Sequence, residues 1–299
     1  MTTKSAKTII RQLLSNFSQD RIASQAAALA YYTMFSLAPI LLICISIVGV
    51  VFGEDAARGE ILKQIGGLIG NESALQIQQI IAGANKPHTA PWARTVSIII
   101  LLFSASGVFN ELQAGLNLIW GVKADPNKGW LKKVKDRFLS FVMVLGIAFL
   151  LLVSFVLSAF LATLSSFISH FLHTSILNDL IMSELVSLGV TTLLFAMMFK
   201  VLPDLQIHWR DVWEGALFTA ILFAVGKMFI SFYLNQVQVA SVFGAAGSLI
   251  IILIWVYYSA QIFFIGAEIT KILSTQNGKK IIPTRNAIII REHPAKESL

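Results

Sequence analysis

Residues 33–52 read TMFSLAPILLICISIVGVVF, a run of twenty residues without a charged side chain. An α-helix rises about 1.5 Å per residue, so a helix of this length crosses the roughly 30 Å hydrocarbon layer of a bilayer. The chain is 56% hydrophobic and only 13% charged, which leaves too little polar sequence to cover such helices in water. The pattern predicts an all-α, polytopic membrane helical bundle of six transmembrane helices, at 33–52, 95–119, 138–162, 181–202, 212–233 and 246–270.

The lysines and arginines are unevenly divided between loops on alternate sides of these runs. The segments before the first run, at 120–137, at 200–211 and from Lys271 onward contain 18 of the 23 basic residues, and the intervening loops contain 4. Because positive charge accumulates on the cytoplasmic side, the sequence predicts an N-in/C-in topology. The net charge of +7 is then a topology signal. No nucleic-acid partner is predicted, because the basic segments do not show interleaved aromatic residues on any recognisable nucleic-acid-binding fold.

The sequence outside the apolar runs indicates one domain with short helices and a tail attached to it. We expect a single integral-membrane domain over 1–274 and a polar, basic, loosely ordered cytoplasmic tail over 275–299. Apolar residues at helical spacing over 8–18 predict an amphipathic N-terminal helix on the inner leaflet. The longer loop at 53–94 has similar spacing and predicts short helices on the outer side.

The second run contains several polar side chains. Asn110, Gln113 and Asn117 are spaced by three and four residues and therefore share one helix face, with Glu111 beside it. An ionisable group in hydrocarbon is costly, so Glu111 is expected to face protein or water. Two interpretations stay open: the face lines a path for a polar group, or it joins helices by amide hydrogen bonds.

The last run has a second polar stripe that includes Tyr258 and Gln261. Near its end, Glu268 and Lys271 are spaced for an i, i+3 ion pair, which is favoured over a functional role for Glu268. A polar cleft between the second and last runs would be lined by both stripes. The candidate substrate-lining residues are Asn110, Glu111, Gln113, Asn117, Tyr258 and Gln261.

Lys227 is the one cation placed well inside a predicted span, since Lys200 lies at the end of the run at 181–202. Glu111 is its candidate partner, although the two residues are expected at different depths. In the basic loop at 120–137, the candidate contacts for anionic head groups are Lys132, Lys133 and Arg137.

The sequence offers no catalytic pattern. His170 and His173 have no acidic third ligand nearby, and there is no phosphate-binding glycine loop and no cysteine pair beside the single Cys44. We therefore predict a protein that is not an enzyme and holds no metal or cofactor.

Several motifs resemble those of one family. They are AAALAYYTMFSLAP at 26–39, LNLIW at 116–120, GAAGS at 244–248, WVYYSAQ at 255–261 and GAE at 266–268. They resemble the YihY/BrkB family of bacterial inner-membrane proteins, and the similarity extends over essentially all six runs. The resemblance implies a multi-pass protein of the inner (cytoplasmic) membrane with an envelope role, such as serum resistance or envelope lipid handling. The family is also met under a ribonuclease BN label.

These observations lead to three functional hypotheses. The first is a protein that translocates or binds a lipid or other amphiphile through a polar-lined cleft, its partners being membrane lipids, including anionic lipids or a lipid-linked precursor. The alternative is a non-transporting membrane scaffold, in which the two polar stripes would pack directly against each other without a cleft. A tRNA-processing ribonuclease is supported least, because the sequence has no metal-ligand cluster. The oligomeric state is not predicted.

Overall fold

The computed structural model describes residues 3–69, 74–75, 77–79, 81, 107–124, 142, 145–149, 176–236, 247–276, 282–284 and 287–290. These residues are mostly helical, as predicted. The helices are α1 (Thr3–Gln19), α2 (Ile22–Phe52), α3 (Glu54–Ile69), α4 (residues 107–119), α5 (Ile176–Val201), α6 (Trp209–Gln236) and α7 (Gly247–Gln276). Two short strands are β1 (Val122–Ala124) and β2 (Ala287–Ile289).

Three of the described helices are long and apolar enough to cross a membrane, over Ile22–Phe52, Trp209–Ile230 and Leu249–Thr275. A shorter apolar stretch, Ser187–Val201, lies in α5. Residues 95–106 of the predicted span at 95–119 and most of the predicted span at 138–162 lie outside the described residues. One face of α6 carries exposed apolar side chains at helical spacing, as expected where a helix contacts lipid. They are Leu217, Phe218, Ile221, Val225, Met228, Phe229 and Phe232.

The limits of α2 follow from its local sequence. Arg21 adopts a left-handed conformation, with φ of 51°, in the turn between α1 and α2. At the other end Gly53, with φ of 87°, donates its N–H to the carbonyl of Gly49. Glycine adopts that φ without a steric penalty, so it ends the helix there. The helix continues through Pro39 and, at 31 residues, is about 46 Å long, which exceeds the hydrocarbon thickness.

Glycine and threonine form a reciprocal contact between α6 and α7. A Cβ built on Gly266 would lie 1.9 Å from the hydroxyl of Thr219, and one built on Gly215 would lie 1.8 Å from the hydroxyl of Thr270. Both hydroxyls donate to the carbonyl four residues earlier in their own helix, which is Gly215 for Thr219 and Gly266 for Thr270. Small residues let helix backbones approach closely in lipid, so these four positions fix the distance between the two helices.

The helices α4 and α7 end, and α6 begins, at the same end of the bundle. We call this end the sheet end. There β1 pairs with β2 in antiparallel fashion, with Lys123 opposite Ile288. Residues 282–284 continue this pairing along the loop between α5 and α6, where Gln206 N–H donates to Ile282 O and Thr284 N–H to Asp204 O, both at 3.0 Å.

This pairing differs from the loosely ordered tail that the sequence predicts. The tail contains the apolar triplet Ala287–Ile289, two of whose residues are β-branched isoleucines. Its backbone groups pair with those of β1, which would otherwise be an unpaired strand. The described tail residues, 282–284 and 287–290, are therefore held by backbone pairing with β1 and with the loop between α5 and α6.

Candidate functional site

The polar face of α4 is anchored at its sheet end by Asn117. This side chain is buried, and its Nδ2 donates to Asp204 Oδ2 at 3.1 Å while its Oδ1 accepts the Asp204 backbone N–H at 2.9 Å. Both the nitrogen and the oxygen of the amide are thus hydrogen-bonded to the loop between α5 and α6. For Asn117, the structure favours the structural interpretation over a role in lining a path.

Replacing Asn117 with leucine is expected to lower the stability of the protein by about 1–3 kcal/mol, because both hydrogen bonds are lost and the Asp204 N–H loses its partner. Thermal unfolding of the purified variant in detergent measures the change. Asn110→Leu is the matched control, since Asn110 is exposed on the same helix. Equal melting temperatures for Asn117→Leu and the control would contradict this role.

A different face of α4 meets α2 and α7. Gly107, Glu111 and Gly115 recur every four residues and therefore share this face. A Cβ on Gly115 would lie 2.5 Å from the ring of Phe264 in α7, and one on Gly107 would lie 3.5 Å from the ring of Tyr32 in α2. Glu111 lies between these two contacts, so its half-buried carboxylate belongs to the face that α4 presents to α2 and α7.

Glu111 and Gln261 lie at the same level of the bundle. Because α4 and α7 both end at the sheet end, they run in the same direction. Glu111 precedes Gly115 by four residues, so it lies about 6 Å along the axis of α4 from the Gly115–Phe264 contact. Gln261 precedes Phe264 by three residues, so it lies about 4.5 Å from the same contact along the axis of α7. Within the described part of the chain neither side chain has a hydrogen-bond or ion-pair partner. The carboxylate of Glu111 and the amide of Gln261 therefore lie at a similar depth, and neither has a partner among the described residues.

The other predicted lining residues lie elsewhere. Asn110 is exposed and Gln113 half-buried, on the side of α4 away from Gly115. Tyr258 packs against α6, where a Cβ on Gly226 would lie 2.9 Å from its hydroxyl. Asn117 bonds to Asp204 and Tyr258 packs against α6, so these two candidates do not face a common cleft.

The predicted ion pair between Glu111 and Lys227 is not among those that the described residues form. Eight residues separate Glu111 from the sheet end of α4, and eighteen separate Lys227 from Trp209 at the sheet end of α6. These separations are about 12 and 27 Å along the bundle, so depth keeps the two charges apart. The head-group candidates Lys132, Lys133 and Arg137 lie outside the described residues.

A buried ionic cluster lies where α1 and α2 meet α7. Lys271 Nζ lies 3.2 Å from Glu268 Oε1 and 3.6 Å from Asp20 Oδ2, and Asn16 Nδ2 donates to the same Glu268 oxygen. The predicted Glu268–Lys271 pair is confirmed. Sequence reasoning missed the contribution of Asn16 and Asp20, because Asn16 and Glu268 are 252 positions apart.

No metal centre is found in the part of the chain that the structure describes. No group of three or more His, Cys, Asp or Glu is close enough there to hold a metal ion, and His170 and His173 fall outside it. A pocket of about 20 Å³, room for about one water molecule, lies between α2 and α7. Its lining is apolar: Met34, Leu37, Ala38, Ile77, Leu249 and Ile252.

Apolar helices of spanning length, close glycine contacts and polar groups buried between helices together define an integral membrane protein of packed α-helices. The chain belongs to the family described as virulence factor BrkB, which matches residues 13–287.

Known relatives are consistent with this class. A UPF0761 membrane protein of Pseudoalteromonas atlantica is 24% identical over 270 residues, which cover 90% of this chain and 86% of that protein. The putative ribonuclease-like protein YfkH of Bacillus subtilis is 25% identical over 285 residues, covering 93% and 98%. A UPF0761 membrane protein of Verminephrobacter eiseniae is 25% identical over 279 residues, covering 89% and 62%. No solved structure matches the chain.

Proposed function

We propose that this membrane protein binds a lipid or other amphiphile, and moves it across the bilayer, at the level of Glu111 and Gln261. The observation that carries the proposal is the unpaired state of these two side chains among the described residues. A polar group in hydrocarbon is stabilised by a polar partner, and a carboxylate more so. An amphiphile with a polar head group, or water that accompanies it, supplies such a partner.

The proposal places this site in a six-span bundle of the bacterial inner membrane, with both termini in the cytoplasm. The integral-membrane domain then covers 1–274, and the basic segments, including Lys132, Lys133 and Arg137, lie where anionic head groups are found. The protein acts without chemical catalysis in this scheme. The ribonuclease hypothesis is supported by the name of one relative, the putative ribonuclease-like protein YfkH.

A membrane scaffold is the second candidate function. Two contacts favour a scaffold, namely the direct packing of Gly115 on Phe264 and the hydrogen bonds of Asn117 to Asp204. Both contacts hold α4 tightly against its neighbours. The carboxylate of Glu111, which has no partner among the described residues, is what distinguishes the two functions. A scaffold does not require a carboxylate at this position, whereas a protein that binds a polar head group can use it as a hydrogen-bond acceptor.

The test is lipid movement in reconstituted vesicles. Wild-type protein is expected to move at least one labelled lipid among phosphatidylglycerol, phosphatidylethanolamine and a polyprenyl-phosphate-linked sugar. Glu111→Gln keeps the shape of the side chain and removes its charge. It is expected to slow this movement by roughly tenfold or more, which corresponds to the loss of one charge-assisted hydrogen bond of about 1.5–3 kcal/mol.

Glu214→Gln is the matched control, since it removes an exposed carboxylate from α6 and is expected to leave the rate unchanged. Melting temperatures of both variants separate loss of function from loss of fold. Wild-type vesicles that neither bind nor move any of the three lipids would overturn the proposal and favour the scaffold.

A further inference from the structure

Two exposed tryptophans lie at the sheet end of the lipid-contacting face of α6. Trp209 and Trp213 are 48% and 43% exposed and are four residues apart, so they share one face of the helix. The same spacing continues to Leu217 and Ile221, where the exposed apolar side chains of that face begin. Tryptophan is enriched where a membrane meets water, because its ring is apolar and its N–H donates a hydrogen bond. The two indoles therefore indicate that the boundary between hydrocarbon and head groups crosses the first two turns of α6.

Charged side chains near Trp209 agree with this boundary. Lys200, at the end of α5, donates to the carbonyl of Ile207, and its Nζ lies 6.0 Å from the centre of the Trp209 ring. Arg210 and Glu214 are exposed in the first two turns of α6, whereas the exposed side chains described from Leu217 onward in this helix are apolar. Lysine and arginine near the ends of spanning helices extend their charges to the head groups. The change from charged to apolar exposed residues thus falls directly after the tryptophans.

The two-stranded ribbon of β1 and β2 carries uncovered isoleucines. Ile288, Ile289 and Ile290 are all exposed. Because successive residues of a strand point to opposite faces, neither face of β2 is fully covered by the helices. A two-stranded ribbon is marginally stable in water at best, and exposed apolar patches are typical of sites that contact a protein or a membrane. The ribbon therefore has the surface of an element that packs against something other than water.

Two backbone hydrogen bonds hold this ribbon and the residues before it near the level of the tryptophans. Gln206 N–H donates to the carbonyl of Ile282, another exposed isoleucine, at 3.0 Å. Gln206 precedes Trp209 by three residues, so their Cα atoms are at most about 11 Å apart. At the other end, Ile290 N–H donates to the carbonyl of Gly121 at 2.8 Å, directly after α4. The exposed isoleucines are thus attached to the bundle close to the membrane boundary that the tryptophans indicate.

We propose that the β1–β2 ribbon is a membrane-surface anchor, which inserts its exposed isoleucines among anionic phospholipid head groups of the leaflet at the sheet end. The ribbon is continuous with the lipid-contacting face of α6 through Ile282 and Trp209. The charge at this level is complementary to anionic lipid, because Lys123, Lys200 and Arg210 outnumber Glu214, the exposed acid in the first two turns of α6. The anchor does not depend on lipid binding at Glu111 and is tested separately from it.

Fluorescence quenching in lipid nanodiscs tests the anchor in the full-length protein. Ile289→Cys is labelled with the environment-sensitive fluorophore NBD. Cys44, the one native cysteine, is buried, so wild-type protein treated in the same way measures background labelling. In nanodiscs of phosphatidylcholine and phosphatidylglycerol, brominated lipids are expected to quench the probe, and aqueous iodide is expected to quench it roughly threefold less than free NBD-cysteine in water. Phe229→Cys, on the lipid-contacting face of α6, is the reference for a probe in hydrocarbon.

The composition of the nanodisc tests the preference for anionic lipid. Quenching of the Ile289→Cys probe by brominated lipid is expected to be roughly twofold or more stronger with phosphatidylglycerol than with phosphatidylcholine alone. Adding Lys123→Gln and Arg210→Gln is expected to remove this difference, while Glu214→Gln retains it. A probe that iodide quenches as fully as free NBD-cysteine would overturn the anchor. A probe protected from iodide but not quenched by brominated lipid would also overturn it, in favour of a protein contact, and equal quenching in both lipids would contradict the anionic head group.

Discussion

Replacing Gly266 with valine is expected to abolish most of the folded protein. A Cβ at this position would lie 1.9 Å from the hydroxyl, 2.7 Å from Cγ2 and 2.8 Å from Cβ of Thr219. Thr219 is a short, branched side chain in a helix and has no rotamer that moves all three atoms away. The helices α6 and α7 must separate, so we expect a loss of about 3 kcal/mol or more and a much lower yield of monodisperse protein.

Gly189→Ala is the matched control, because Gly189 lies in α5 and has nothing within 4 Å of a built Cβ. It is expected to be neutral or to stabilise the helix by up to about 1 kcal/mol. Gly266→Ala is expected to be a milder form of the valine variant and to recover part of its stability when combined with Thr219→Ala, since that change removes the two nearest atoms. Wild-type yield and melting temperature for Gly266→Val would show that α6 and α7 do not pack at this distance.

Replacing Lys271 with methionine is expected to destabilise the protein by about 3–5 kcal/mol. The ammonium is buried and lies within 4 Å of both Asp20 and Glu268. Methionine fills a similar volume but removes the ammonium that lies beside the two buried acids. The resulting uncompensated buried charge accounts for most of the decrease in the free energy of unfolding. Chemical or thermal unfolding in a single detergent measures the difference from wild type.

Lys123→Met is the control for the loss of a positive charge, since Lys123 is exposed on β1, and it is expected to change stability by less than about 0.5 kcal/mol. The double variant Asp20→Asn with Lys271→Met removes the ammonium together with the charge of one of the two acids that it contacts. It is expected to be more stable than Lys271→Met alone, which a double-mutant cycle measures as coupling. Additive effects in that cycle would mean that Asp20 and Lys271 do not interact.

The sequence predicted the polar residues of the second and last runs but not their partners. Asn110, Gln113 and Asn117 do share a face of α4, as their spacing requires. The spacing carries no information on what that face meets, and the contact with α7 is made instead by the face of Gly115. Tyr258 shows the same limit, because its stripe was inferred from periodicity whereas its contact is with Gly226 on α6.

The sequence by itself determined that this chain is an α-helical membrane protein, and it located the spanning segments of α2, α6 and α7. Both properties depend on the hydropathy of contiguous residues and on the fixed rise of a helix, which are local quantities. Only the tertiary structure decided that the tail pairs with β1, that threonine meets glycine between α6 and α7, and that Asp20 shares Lys271 with Glu268. Those contacts depend on how each helix is rotated about its axis and docked on the next, and residues hundreds of positions apart determine this together.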